Sequence, residues 1–353
     1  MAVGASSPGP TSDSATLNVR AVIVGAGAVG GRAARQLLST GPLDDLALVE
    51  SQPGRASDVV GALGAPARHV SSAADALDGA DVMVLTAPVA HRPLAEAALE
   101  VGAHVVSVAD SLGEIRSLLE LDAEARERGL HIVLGAGFSP GLSCVLAVHA
   151  ASEFDAVEEI HVAKLGTGGP ACAREHHRAL GDPAFDWRDG TWHRRPGGSG
   201  RELCWFPDPV GGVDCYRAAL PEPLLLLPAF LGVQRVTAHL GANRRDRLTA
   251  RLPMLRPPHP EGGLGALRVE VRGRRGSGRD ERVLGVVDRP AIAAGAVAAL
   301  AARWAVGGRL LRPGAAGLAT LVEPIPFLAA RRTGRAGRRV RGRGRVACLG
   351  LTR

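Results

Sequence analysis

The chain has 353 residues, 46% of them hydrophobic and 22% charged, a globular profile with room for two or three domains that excludes a disordered or fibrous chain. The formal net charge of +7 points at first to nucleic acid or an acidic membrane surface, but residues 331–353 hold nine arginines and no acid. The remainder is left at −2, so a nucleic-acid partner is not expected, except nonspecifically through a basic, disordered tail.

Lys164 is the single lysine among 42 basic residues, a bias that matches a GC-rich genome better than selection for anion binding. Five cysteines, odd in number and outside close CxxC pairs, argue against a disulfide framework or a zinc ribbon and for reduced thiols in a cytoplasm. Residues 1–19 are small and polar, with no apolar core of a signal peptide, and are expected to be disordered. The longest apolar stretch, 291–302, is too short to span a bilayer, so no membrane partner is expected.

In chain order, residues 21–24 (AVIV) form a continuous apolar run of the kind buried in a parallel sheet, followed by the turn GAGAVG and a helix over 31–38. Strands are predicted at 46–50, 81–86 (DVMVLT), 104–108 (HVVSV) and 131–134, with helices at 93–101 and 113–128. This alternation predicts an α/β, Rossmann-type doubly wound parallel sheet over residues 20–140. Beyond the hinge GAGFSPGL the pattern changes. A helix at 142–151 precedes strands at 159–164, 235–240, 267–272 and 281–287, an inserted α+β substrate domain spanning 141–288. Residues 166–212, rich in Gly, Pro, Trp, His and Arg, read as long functional loops. A helical return to the first domain is expected over 289–330, built on an alanine-rich helix at 291–306.

Gly25-x-Gly27-x-x-Gly30 follows an apolar strand and opens a helix, the context in which glycines make a tight turn and let a pyrophosphate approach the helix N-terminus. Ala28 and Val29 complete the expected phosphate loop. Glu50 lies twenty residues after Gly30, at the end of the second strand, where an acid accepts from ribose hydroxyls. Its charge opposes a 2′-phosphate and favours NAD, while Arg55 keeps NADP open. Thr86 and Pro88 either line the nicotinamide side of the crevice or simply end their strand.

The succession GAGAVG, a strand ending in an acid, TAPVAHRPLAEAALEVGAHVVSVAD and GAGFSPGLS resembles the saccharopine dehydrogenase-like family of NAD(P)-dependent oxidoreductases over residues 20–330, most specifically in the first half. The resemblance implies a Rossmann domain with an inserted substrate domain and hydride transfer at a C–N bond of an amino-acid-like substrate. By position it implies Asp110 as the acid after the HVVSV strand and residues 138–141 as a hinge facing the cofactor. A homodimer is also expected.

Such chemistry needs a proton donor or acceptor and a cationic group for a carboxylate. Asp110 is a candidate for the first, or else the N-cap of the helix beginning near Gly113. Lys164 ends an apolar strand before a glycine loop and is either a cleft group or an exposed strand end. His176 and His177 are candidate substrate ligands or proton shuttles. Together with Cys172 and Cys204 they superficially suggest metal ligation. No metal is expected, because adjacent histidines diverge and no second close pair completes a tetrahedral set. The alternative is a nucleotide-binding regulatory protein of the same fold that performs no chemistry.

Overall fold

The computed structural model describes residues 19–254, 257–333 and 346–348. The first half alternates as β1 (Arg20–Val24), α1 (Gly30–Ser39), β2 (Asp45–Val49), α2 (Pro53–Leu63), β3 (Ala67–Val70), α3 (Ala73–Ala76), β4 (Val82–Leu85), α4 (Arg92–Glu100), β5 (His104–Ser107), α5 (Leu112–Leu119), α6 (Asp122–Glu127) and β6 (His131–Leu134). Helix α7 (Leu142–Ala151) then leads into β7 (Ala156–Leu165), α8 (Pro170–Gly181), β8 (Ala184–Arg188), β9 (Thr191–Arg195), β10 (Glu202–Phe206), β11 (Gly211–Arg217), α9 (Glu222–Leu226), β12 (Arg235–Gly241), α10 (Arg244–Thr249), β13 (Gly265–Arg275) and β14 (Gly278–Asp288). Helix α11 (Pro290–Val306), β15 (Gly314–Gly317), α12 (Leu318–Leu321), α13 (Pro324–Thr333) and β16 (Val346–Cys348) complete the described chain.

The first sheet has the order β15-β6-β5-β4-β1-β2-β3 and is parallel throughout. Strands buried on both faces must be apolar along their whole length, which is why β1, β4 and β6 carry uninterrupted apolar runs. Strand order reverses between β1 and β4, and at the carboxyl ends of those strands such a sheet leaves a crevice for a ligand. Helix α1 buries Gly30, Ala33, Ala34 and Leu37, one face at helical spacing. Helix α11 packs on it, returning the chain to the first sheet, and β15 adds a further strand beside β6.

The second sheet is mixed, with the path β10-β11-β12-β7-β13-β14-β16 and the hairpin β8–β9 attached to β12. Helix α7 is apolar around its circumference and buried from Leu142 to Ala147, because it is wedged between β13 and β14 on one side and α12 and α13 on the other.

Three expectations are corrected. Residues 166–212 are not mainly loop but hold α8, β8, β9, β10 and the start of β11. The frequent glycines and prolines obscured a helix that starts on Pro170 and buries Ala173, His176, Ala179 and Leu180. They also obscured a hairpin turning at Asp189-Gly190, both with positive φ, across which Trp187 and Trp192 meet edge to face. Next, α2 and β3 fill the interval after Glu50, where no element was expected. Finally, the basic segment 331–353 is structured in part: Arg331 is buried in α13 against Asp288 at 3.3 Å, and Val346–Cys348 pairs with β14. Its other residues after Thr333, like 1–18, lie outside the described ones. No helix among the described residues is long and apolar enough to cross a membrane.

Candidate active site

The glycine turn is fixed by sterics. Gly25 has φ +97°, and a Cβ there would lie 2.7 Å from the Ala87 nitrogen; at Gly30 a Cβ would lie 1.8 Å from the Gly25 oxygen. Thr86 helps to hold this turn, its hydroxyl donating to the carbonyl oxygens of Gly25 at 2.7 Å and Val24 at 3.0 Å. Thr86 thus braces the loop from the next strand, and exposed Pro88 follows it at the carboxyl edge of the sheet. Around Gly27, by contrast, a Cβ would meet nothing within 4 Å. Gly27 and Ala28 lie in the turn just before α1, Val29 is its N-cap and Gly30 its first residue, and the N–H groups of a helix's first turn lack intrahelical acceptors.

Glu50 is nearly buried beside this loop. Its carboxylate accepts from the Ala26 and Gln52 amides, each at 3.0 Å, and Arg55 lies 3.6 Å away. Burial raises the Glu50 pKa, but those two amides and the Arg55 charge more than offset this, leaving it below its ordinary value. An ionised carboxylate, free amides at a helix N-terminus and open space at Gly27 fit the ribose and pyrophosphate of a dinucleotide.

Lys164 comes from β7, paired on both sides by β12 and β13, and is 2% exposed. It is therefore not an exposed strand end. Its ammonium donates to the Ser139 carbonyl at 2.8 Å and lies 3.5 Å from Glu222 Oε1. The Ser139 hydroxyl donates to the same Glu222 oxygen at 2.5 Å and touches Ser143 Oγ at 3.2 Å. Glu222 is wholly buried, and its second oxygen, Oε2, has no hydrogen-bond partner among the described residues. The hinge turn after β6 thus serves as the socket for the lysine, because its carbonyl and hydroxyl accept and donate at one point.

Asp110 follows β5 and is not a helix cap; Ser111 takes that task, accepting from the Glu114 amide at 3.2 Å. The Asp110 carboxylate instead meets two residues of α8. Cys172 donates to Oδ2 at 3.2 Å, His176 Nε2 lies 3.3 Å from the same oxygen, and the Cys172 sulfur is 3.6 Å from that nitrogen. Burial raises the Asp110 pKa, but the hydrogen bond and charge of His176, with Lys164 nearby, hold it below the usual carboxylate range. Burial and the Lys164 charge keep His176 below its ordinary value, so the imidazole is neutral beside an ionised carboxylate. Burial and Asp110 push the Cys172 thiol well up. Asp110, Lys164 and His176 are close enough for their charges to act on one another.

The loop feeding α8 lies on the glycine turn: a Cβ on Gly168 would be 3.5 Å from Val29 Cγ2, and one on Gly169 3.4 Å from Ala28 Cβ. The cluster, with Asp110 from the end of β5 and Cys172 and His176 from α8, is thereby brought to the crevice beside the glycine turn. His177 is not part of it. One residue along the helix it points elsewhere, and its Nε2 meets the Leu252 carbonyl at 2.9 Å. Glu222 escaped the sequence reading, although a lone acid in the apolar segment PEPLLLLPAF was a signal of a buried charge with a partner.

No protein-family model matches the chain. The structure is similar to the apo saccharopine dehydrogenase (L-Glu forming) of Saccharomyces cerevisiae, with a TM-score of 0.67 at 14% identity over 89% of this chain and 96% of that one. The fold is saccharopine dehydrogenase-like. It is also similar to the amine dehydrogenase of Mycobacterium smegmatis, with a TM-score of 0.53 at 14% identity over 86% of this chain and 96% of that one.

Proposed function

We propose that this protein is an NAD(P)-dependent oxidoreductase that transfers hydride at the C–N bond of an amino-acid-like substrate. The observation that carries the reading is the Asp110–His176 pair brought beside an open glycine turn at the carboxyl edge of the parallel sheet, with the buried Lys164–Glu222 pair near enough for the lysine charge to act on both. The dinucleotide, when bound, supplies the hydride acceptor or donor. Gly25, Gly27, Ala28, Val29 and Gly30 would hold its pyrophosphate and Glu50 its ribose, with Thr86 bracing the loop and Pro88 at the nicotinamide edge.

Lys164 is the group that would give a proton to the substrate or take one from it. It is fixed at the Ser139 carbonyl, and Glu222 compensates its charge. Asp110 and His176 would form the polar wall facing the substrate's nitrogen, a carboxylate to attract an ammonium and a neutral imidazole to hydrogen-bond to it. The yeast and mycobacterial proteins of this fold, named for saccharopine and for amines, lend the reading support. A screen of amino acids, and of oxo acids paired with amines, followed by nicotinamide absorbance with both cofactors, tests it. Turnover of at least one such substrate is expected; dinucleotide binding with none would indicate a protein that senses the cofactor without chemistry.

A further inference from the structure

Asp110, Cys172 and His176 each offer one ligand atom, and these atoms lie within 4.8 Å of one another. Cys172 and His176 are four apart on α8, so both project from the same face, and Asp110 meets them from the turn after β5. The spacings, which serve as hydrogen-bond contacts in the structure, are also close to those around a metal ion. Around tetrahedral zinc, bond lengths of about 2.3 Å to sulfur and about 2.0–2.1 Å to nitrogen or oxygen place S and N about 3.5 Å apart, S and O about 3.5 Å, and N and O about 3.3 Å. The structure has 3.6, 3.2 and 3.3 Å for these pairs. All three contacts converge on single atoms, Oδ2, Sγ and Nε2, as the corners of one coordination face would.

We propose that Asp110, Cys172 and His176 bind one divalent transition-metal ion, zinc(II) by ligand type, through three protein ligands with a fourth position left to solvent or substrate. Three ligands with one open position characterise catalytic rather than structural zinc. Binding would form the Sγ–metal bond as the thiol gives its proton to solvent. Charge favours it: with Cys172 as thiolate, the three anions Asp110, Cys172 and Glu222 outnumber Lys164 by two among these four described residues, which a divalent ion neutralises. The partly exposed Asp110 side chain, at 20%, gives the ion a way in. This rests on the function proposed above and changes one part of it: the ion's open position, in place of direct contacts from Asp110 and His176, would take the substrate's amino or carboxylate group.

The test uses the full-length protein, freed of metal by chelator and titrated with cobalt(II) chloride. The expected result is one equivalent bound, with a near-ultraviolet thiolate-to-cobalt charge-transfer band and the intense visible bands of tetrahedral cobalt; zinc(II) displaces both. Cys172→Ser abolishes the charge-transfer band, and Asp110→Asn and His176→Gln each weaken binding by about 100-fold or more, beyond the effect of losing a supporting contact. Cobalt bound without a thiolate band, or with unchanged affinity in all three variants, overturns the proposal and leaves the triad as hydrogen bonds alone. Fluorescence of bound NADH, measured in parallel, shows that each variant is folded. In the wild type it also separates the outcomes, since NADH binding without a cobalt thiolate band defeats the metal site only, and a cobalt thiolate band without NADH binding defeats the oxidoreductase reading only.

Discussion

Removing the charge of Glu222 without its shape isolates the interaction on which the proposed site rests. In Glu222→Gln the amide oxygen still accepts from the Ser139 hydroxyl, but Lys164, 2% exposed, is left with the Ser139 carbonyl as its remaining polar contact of the pair. Breaking a buried pair from one side costs about 3–5 kcal/mol, because the surviving charge stays desolvated. At roughly 2 °C per kcal/mol for a chain of this length, Tm should fall by about 6–10 °C. The double variant Lys164→Met/Glu222→Gln removes both charges from the same space and should recover more than half of the loss. Urea unfolding of the wild type, Glu222→Gln and the double variant measures this directly. A single variant within about 0.5 kcal/mol of wild type, or a double variant no more stable than the single, would refute the claim that these side chains are a buried, mutually compensating pair.

Gly27→Ala should leave stability within about 0.5 kcal/mol of wild type, since its Cβ meets nothing within 4 Å, yet should abolish dinucleotide binding followed by NADH fluorescence. Gly30→Ala should lose both, because its Cβ would strike the Gly25 oxygen. His104, which accepts from the His131 amide at 3.2 Å, is held at about 4 by burial and by the charge of His131, against an ordinary value of 6.5. Its folded pKa is depressed, so its contribution is fully present above pH 6.5 and is lost as pH falls toward 4, where the unfolded chain takes up a proton that the folded one refuses. Stability measured against pH should decline across that window, and less steeply in His104→Asn; equal slopes would contradict the assignment.

The first sheet was legible because strands buried on both faces must be written as unbroken apolar runs, and because a glycine turn between strand and helix has few other uses. The pieces that were not legible failed for identifiable reasons. Strand β15 is the tetrapeptide GAAG, with no branched or aromatic residue to mark it, and it exists only because β6 offers an open edge. Helix α8 was hidden by the glycines around it, and with it went the geometry that separates His176 from His177. Asp110 could be placed at the sheet edge from sequence, but that the cap belongs to its neighbour Ser111 took the structure to show. The Lys164 socket is tertiary. Ser139, Lys164 and Glu222 sit in three segments, the turn before α7, strand β7 and helix α9, that meet because α7 packs against both β7 and α9. Arg331 misled because its charge was counted with the tail, whereas a buried aspartate at the end of β14 receives it.

In the proposed function a nicotinamide cofactor and Lys164 act together on a C–N bond. The most direct measurement follows nicotinamide absorbance with an amine or amino-acid substrate in wild type and in the charge-neutral Lys164→Met/Glu222→Gln variant, with NADH binding checked in both. Turnover by the wild type is expected, with its loss in the double variant while cofactor binding is retained. Wild-type rates in the variant, or bound cofactor with no turnover of any C–N substrate by the wild type, would contradict it.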